Sequence, residues 1–116
     1  MSFFKIETTP DISQRHYKQV TSSSVDTSDH VIPNGETYQF IRFYGNASES
    51  PNTIVCIFWD KDGVDEDLLF TTHNDSILDK PSIEKTGNGV KKITIVLKND
   101  LLQDEWLGAA WEAIIV

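Results

Sequence analysis

Short runs of β-branched and aromatic residues, separated by Gly, Pro, Asn and Asp, dominate the chain from residue 31 onward. Such runs are typical of β-strands bounded by turns. No segment places apolar residues at i, i+3, i+4 and i+7 over three turns, so long helices are not expected. The pattern predicts strands over residues 37–44, 53–59, 68–72, 90–97 and 107–116.

Two of these runs predict strands inside the fold. Residues 53–59, TIVCIFW, are apolar almost throughout, which indicates a central strand covered on both faces. Residues 113–116, AIIV, carry no polar tail and indicate a last strand tied into the core. Strands that recur every roughly 10–15 residues with turns between them predict an all-β fold, a single antiparallel β-sandwich, with a jelly roll or a small barrel as alternatives.

The first 30 residues have a different pattern. From residue 8 they are polar and rich in Ser and Thr, and their apolar residues are too scattered to form a face. We therefore divide the chain into an extended polar N-terminal arm, residues 1–30, and a β-sandwich domain, residues 31–116. Within the arm, residues 13–20 are compatible with an edge strand, because Tyr17 and Val20 are strong β-formers beside charged residues.

Three apolar side chains at the start of the arm need burial. Phe3, Phe4 and Ile6 are expected to pack on this protomer or on a neighbouring one, and they are the candidate interaction residues of the arm.

Length and charge narrow the classes of partner. The 116 residues fit one domain, and 39% apolar residues supply a core. The net charge of −8 repels phosphate backbones and anionic lipids, so neither nucleic acid nor a membrane is an expected partner.

The single cysteine and the N-terminal residues indicate the cellular compartment in which the protein is made. Cys56 lies in an apolar run and is expected to be a buried thiol without a disulfide partner. The start of the sequence lacks a signal-peptide pattern, and no apolar run approaches the ~20 residues of a membrane span. These features predict synthesis in a reducing cytoplasm without secretion by a signal peptide.

The acidic loop at residues 60–67 is a weak candidate for calcium. Asp60, Asp62 and Asp65 surround a glycine turn, as carboxylates do in calcium loops. The EF-hand pattern fails, because Phe58 and Leu69 occupy the positions of its two end ligands. A solvated hairpin tip is the preferred interpretation, and no metal is expected.

The sequence contains no recognisable catalytic motif. His16, His30 and His73 lie far apart and do not pair with a second His or Cys at metal spacing. Nucleophile elbows, phosphate-binding glycine loops and dinucleotide fingerprints are missing from the sequence. We predict a protein that is not an enzyme, with no catalytic residues and no cofactor.

The aromatic residues have two interpretations. Trp59, Trp106, Trp111, Tyr38 and Tyr44 could form a platform for stacking on sugars, but aromatic residues of a small β-domain mostly fill its core. Trp59 and Trp111 lie in runs that indicate burial. Trp106, beside two acidic residues in a predicted loop, is the candidate for an exposed interaction residue.

Four segments carry a resemblance to a known class of protein. They are residues 32–38 (IPNGETY), 58–60 (FWD), 89–99 (GVKKITIVLKN) and 107–112 (LGAAWE). Together they resemble small all-β virion proteins of tailed bacteriophages over most of residues 31–116. The resemblance implies a structural or attachment role in the capsid, neck or tail of a virion assembled in the host cytoplasm. It also implies a homo-oligomer that contacts other virion proteins.

Two functional hypotheses follow. The first is a non-enzymatic structural or attachment subunit of a phage virion that acts through protein–protein contacts. The second is a carbohydrate- or receptor-binding β-sandwich module that uses exposed aromatic residues. Exposure of Trp106, Tyr38 and Tyr44 favours the second hypothesis, and burial of these rings favours the first.

Overall fold

The computed structural model describes residues 9–48 and 50–116, and within them the chain forms nine strands. Their bounds are β1 Ile12–Val20, β2 Ser24–Val31, β3 Thr37–Asn46, β4 Thr53–Trp59, β5 Asp67–Thr72, β6 Ser76–Asp79, β7 Glu84–Thr86, β8 Lys92–Asn99 and β9 Glu105–Ile115.

The strands form two antiparallel sheets that pack face to face. Sheet A has the order β1-β9-β3-β6, with β7 also paired to β3, and sheet B has the order β2-β8-β4-β5. The chain is therefore one long hairpin whose halves pair from the ends inward, β1 with β9, β2 with β8, β3 with β6 and β7, and β4 with β5. When wrapped into two layers, this hairpin is a jelly roll. The predicted all-β antiparallel sandwich is confirmed, and its strand order is the jelly-roll alternative.

The segment predicted as a polar arm contains one edge strand of each sheet. The expected edge strand at residues 13–20 corresponds to β1, which pairs with β9 along its whole length. Strand β2 was not predicted as part of the sandwich, but it pairs with β8 from Ser24 to Val31. The described part of the arm is thus integral to the fold, while Phe3, Phe4 and Ile6 lie outside the described residues.

Hydrogen bonds join β1 to β2 where the sequence is polar. The His16 ring nitrogen Nε2 lies 2.8 Å from Asp26 Oδ1, and Lys18 Nζ donates to Asp26 Oδ2 at 2.6 Å. The hydrogen bond from Lys18, and then the contact with His16, hold the pKa of Asp26 below its usual value. These contacts explain how two strands with few apolar residues close one side of the sandwich.

The core lies between the sheets and is centred on Trp111. Its indole ring is fully buried and meets the rings of Phe40 and Tyr38 at centroid distances of 5.5 and 5.7 Å. Trp59 is buried in this core, as predicted. Cys56 is also buried, but it lies on the outer side of β4, where its Sγ is 3.4 Å from Thr71 Oγ1. A terminal strand is confirmed, as β9, and Ala113 is fully buried. Its end is not tied into the core as predicted, because Ile115 and Val116 are exposed.

Strand β4 is central, as predicted, but it is covered on one face. It lies between β8 and β5, and its inward residues Val55 and Ile57 are fully buried. Its outward residues Ile54 and Phe58 are half-buried on the surface of sheet B, over which the described residues place no further layer.

A β-bulge in β3 decides which residues face outward on sheet A. The register with β9 shifts between Phe40 and Arg42, so Ile41 is the additional residue. A bulge reverses the inside–outside alternation beyond it. As a result, Phe43 enters the core while Arg42 and Tyr44 face outward.

Candidate binding groove

The outer face of sheet A carries a groove of about 890 Å³. Its floor is β9, and its sides are β1 on one flank and β3 with β6 on the other. Small outward residues of β9, Gly108 and Ala110, leave the floor low, while larger side chains of the flanking strands rise beside it. The side chains that line the groove include Ser13, Arg15, Tyr17, Tyr44, Ile77 and Glu112.

Gly108 makes room for an aromatic ring. Tyr17 pairs with Gly108 across β1 and β9, and a Cβ atom added at Gly108 would overlap Cδ2 of the Tyr17 ring. The absence of a side chain therefore lets the Tyr17 ring lie low across the sheet.

The Tyr17 ring stacks on Trp106 at one end of the groove. The ring centroids are 5.4 Å apart and the planes are inclined by 23°. Tyr17 is 47% exposed and Trp106 is 55% exposed, so the pair presents a broad aromatic surface to solvent. The Arg15 guanidinium lies 5.8 Å from the Tyr17 centroid, within cation–π range.

A network of polar side chains occupies the other end of the groove. Arg42 Nη1 donates to Glu112 Oε1 at 2.6 Å, and Arg42 Nε donates to Asp79 Oδ1 at 2.8 Å. Tyr44 donates its hydroxyl to the same Glu112 oxygen at 2.8 Å. The hydrogen bond to Glu112 is the main cause that raises the pKa of Arg42, whereas burial is the main cause that raises the pKa of Tyr44. The network fixes charged and hydroxyl groups in defined positions at the surface.

The backbone of the groove floor is already paired. Strand β9 forms ladders with β1 on one side and β3 on the other. A ligand in the groove must therefore be recognised by side chains, since β9 has no open edge to which a peptide strand could add.

The aromatic residues proposed from the sequence separate into two groups. Tyr38 is buried at 1% exposure, and Trp59 and Trp111 also belong to the core. Trp106 is exposed and Tyr44 is half-buried beside the groove. The five aromatic residues do not form one platform, and the expected burial of Trp59 and Trp111 is confirmed. Trp106, the candidate for exposure, belongs to a smaller aromatic surface with Tyr17.

The carboxylates of the acidic loop make separate contacts. Asp60 accepts a hydrogen bond from the backbone N–H of Asp65 at 3.0 Å, Asp62 pairs with Lys61 at 3.1 Å, and the side chain of Asp65 pairs with Lys91. Within residues 9–48 and 50–116, no group of three or more His, Cys, Asp or Glu side chains is placed to hold a metal ion.

The three histidines also lie in separate places. His16 contacts Asp26, His30 Nε2 lies 3.0 Å from the Tyr38 hydroxyl, and His73 Nδ1 lies 2.8 Å from the carbonyl oxygen of Thr53. The structure does not bring them together.

Sequence reasoning did not point to Tyr17, Ile77 and Glu112 in the groove lining, or to Arg42, which binds Glu112. One local signal was available in β9, because two small residues, Gly108 and Ala110, occupy alternate positions of the sequence EWLGAAWE. Small outward residues at the centre of a sheet leave a depression, so Gly108 and Ala110 could have indicated the floor.

Comparisons with protein-family models, with curated proteins and with solved structures find no match for this chain. The described residues contain no helix of the length and apolar character needed to cross a membrane.

Proposed function

We propose that the protein is a non-enzymatic attachment module that binds carbohydrate through the groove on sheet A. The exposed Tyr17–Trp106 stack carries the proposal. Two adjacent aromatic rings in water forgo the free energy of burying their apolar area, about 25 cal/mol per Å². An exposed aromatic surface at one end of a groove that has directional polar groups at its other end is typical of a ligand site.

The composition of the groove favours a sugar among the classes of ligand. A pyranose ring has an apolar face that can lie on an aromatic ring and hydroxyl groups that need hydrogen-bond partners. The stack can take the apolar face of one sugar ring, and at the other end of the groove the carboxylate of Glu112 with the guanidinium of Arg42 can take the hydroxyl groups of another.

The proposal assigns no chemical step to the groove. A glycosidase needs two carboxyl groups that flank the scissile bond, one of them as a general acid. Glu112 and Asp79 are both engaged by the same arginine, Arg42, and this arrangement favours positioning over acid–base chemistry.

The resemblance to phage virion proteins gives this module a setting. A carbohydrate-binding jelly roll on a capsid, neck or tail would attach the particle to a host-surface polysaccharide. This setting combines the attachment role of the first hypothesis with the ligand of the second.

A glycan array incubated with the full-length protein tests the proposal. We expect wild-type protein to bind a defined subset of glycans, and Trp106→Ala and Tyr17→Ala to lose at least about tenfold in affinity, or about 1.4 kcal/mol. Leu102→Ala is the matched control, because Leu102 is 96% exposed in the loop before β9 and lies outside the groove lining. Equal binding by all four proteins, or binding by none, would refute the proposal.

The edge of sheet A favours a second candidate function, a structural subunit that assembles through protein contacts. Strand β6 ends sheet A, and its neighbouring residues Ile77 and Leu78 are 64% and 42% exposed. An exposed edge with apolar residues can pair with another chain.

The mass of the protein in solution tests the second candidate. A structural subunit should form a defined oligomer, which Leu78→Lys should dissociate if β6 is the interface. Deletion of residues 1–8 should dissociate it if Phe3, Phe4 and Ile6 form the contact. A monomer at all concentrations would refute assembly by this chain alone.

A further inference from the structure

The two ends of the groove lie far apart along one strand. Trp106, Gly108, Ala110 and Glu112 are alternate residues of β9 and therefore share its outer face. At roughly 3.3 Å per residue, six residues separate Trp106 from Glu112 by about 20 Å. A single pyranose ring is too small to touch the aromatic stack and the polar network together.

The groove lining runs along the outer face of β9 from Gly108 to Glu112. The Tyr17 ring covers Gly108 and connects the lining to Trp106 through their stack. Gly108 and Ala110 form the floor of the groove, and the flanking residues Arg15 on β1 and Tyr44 on β3 pair with Ala110 from opposite sides. On the far side of β3, Ile77 of β6 pairs with Tyr44 and adds to the same side of the groove. The groove therefore runs along β9 with an apolar floor and walls that keep a ligand in line with the strand.

The charges around the groove favour an uncharged ligand. Asp75 and Glu112 belong to its lining and Asp79 adjoins Glu112 through Arg42, so three carboxylates face two guanidinium groups, those of Arg15 and Arg42. With a net charge of −8 for the whole protein, a chain rich in phosphate, sulfate or carboxylate groups would be repelled.

From these observations we infer that the groove binds a linear, uncharged oligosaccharide that lies along β9 and spans several sugar rings. One terminal ring of the bound segment stacks on Tyr17 and Trp106. A ring at the other end exchanges hydrogen bonds with Glu112, Arg42 and the Tyr44 hydroxyl. This inference rests on the proposed carbohydrate-binding function and specifies the length, direction and charge of its ligand.

Calorimetric titration with oligosaccharides of increasing length tests the inference. The probes are linear gluco-, xylo- and N-acetylglucosamine oligomers from the monosaccharide to the hexasaccharide, with oligogalacturonate as the charged comparison. For the series that binds, we expect affinity to rise at least about tenfold from the disaccharide to the chain that spans the groove, and then to level off.

Variants at the two ends of the groove test where the bound oligosaccharide lies. Trp106→Ala removes the stack, while Ser13→Trp fills the opposite end, because Ser13 is exposed and pairs with Glu112 across the sheet. Both variants should weaken binding of the hexasaccharide. Their losses of binding free energy should add, since the two substituted sites are well separated. A disaccharide, which occupies one end only, should respond to one variant and not to the other. Glu112→Gln, which preserves shape, is the second probe of the polar end, and thermal unfolding confirms that each variant is folded.

The outcomes distinguish this inference from the function on which it rests. A monosaccharide that binds as tightly as the hexasaccharide, or a disaccharide weakened by both variants, would overturn the extended placement while carbohydrate binding stands. Preferential binding of oligogalacturonate would overturn the uncharged ligand. Failure of every oligosaccharide and of the glycan array would overturn the proposed function itself.

Discussion

Trp111 donates its indole N–H to the side-chain oxygen of Gln14 across a distance of 2.6 Å, inside the sandwich. The amide nitrogen of the same glutamine donates to Ser28 on the opposite sheet at 3.1 Å. Gln14 therefore satisfies the polar atom of the largest core residue and also connects β1 of sheet A with β2 of sheet B.

Replacement of Gln14 with Ala should destabilise the protein. The change leaves the buried indole N–H without its partner, which costs about 1–3 kcal/mol. Urea unfolding should show this loss, while Gln19→Ala, an exposed change on the same strand, should alter the free energy of unfolding by less than about 0.5 kcal/mol. Equal stability of the two variants would mean that the Gln14 hydrogen bond contributes nothing to stability.

The stability of the fold should fall as the pH drops below the ordinary pKa of histidine, about 6.5. Burial lowers the pKa of His30, so the unfolded chain takes up a proton that the folded protein resists. The stability contributed by neutral His30 is complete above that pH and is lost as the pH falls toward the lowered pKa.

Urea titrations between about pH 7.5 and pH 5 measure the dependence, because histidine is the side chain that titrates in this range. His30→Gln should flatten the slope. An identical slope in wild-type protein and His30→Gln would contradict this assignment.

Two glycines of sheet A should respond differently to the same substitution. Gly45 faces the core, where an added Cβ would overlap side-chain atoms of Thr72, Phe70 and Val55. Gly45→Ala should therefore lower the free energy of unfolding by about 1–3 kcal/mol through overpacking. Gly108→Ala meets the exposed Tyr17 ring, which can turn toward solvent, so its cost should be small and its effect should fall on glycan binding. Thermal unfolding and the glycan array measure both effects, and a stable Gly45→Ala or a fully binding Gly108→Ala would contradict the packing described.

Cys56 should react slowly with thiol reagents in the native protein. Its side chain is buried at 9% exposure, and burial raises the pKa of the thiol, which reduces the reactive thiolate at neutral pH. Labelling should become rapid in concentrated urea. A Cys56→Ser, Val64→Cys variant supplies an exposed thiol as the control, because Val64 is 97% exposed. Native labelling of Cys56 as fast as that control would contradict the burial of its thiol.

The core strands were predictable because their apolar side chains indicate burial. The runs at residues 37–44, 53–59 and 107–116 match β3, β4 and most of β9, since β-branched and aromatic residues fit a pleated, buried surface. Strand β2 was missed because its inward residues are polar. Its inward side chains are Asp26, Ser28 and His30, which form hydrogen bonds. A strand with polar inward residues does not show the alternation of apolar and polar positions by which strands are predicted.

The groove was less predictable than the fold for two physical reasons. The bulge at Ile41 reverses the inward–outward alternation of β3. Arg42 and Tyr44 therefore face outward, whereas in a regular strand they would face the core. Tyr17 and Trp106 come from opposite ends of the sequence, and only the pairing of β1 with β9 brings them together. Trp106 was proposed from its acidic neighbours in a predicted loop, although the structure places it on β9.

The pairing of β1 with β9 has a consequence for the order of folding. Sheet A joins Ile12 to Ala113, and Gln14 and Trp111 are 97 positions apart in sequence. Ladders between such distant segments close large loops, which slows folding. During synthesis the ribosome delivers β1 first and β9 last, so β1 must wait without its partner until nearly all of the described chain has emerged. The polar character of β1 then serves a second purpose, because a strand that waits unpaired is less prone to aggregate when its side chains are charged.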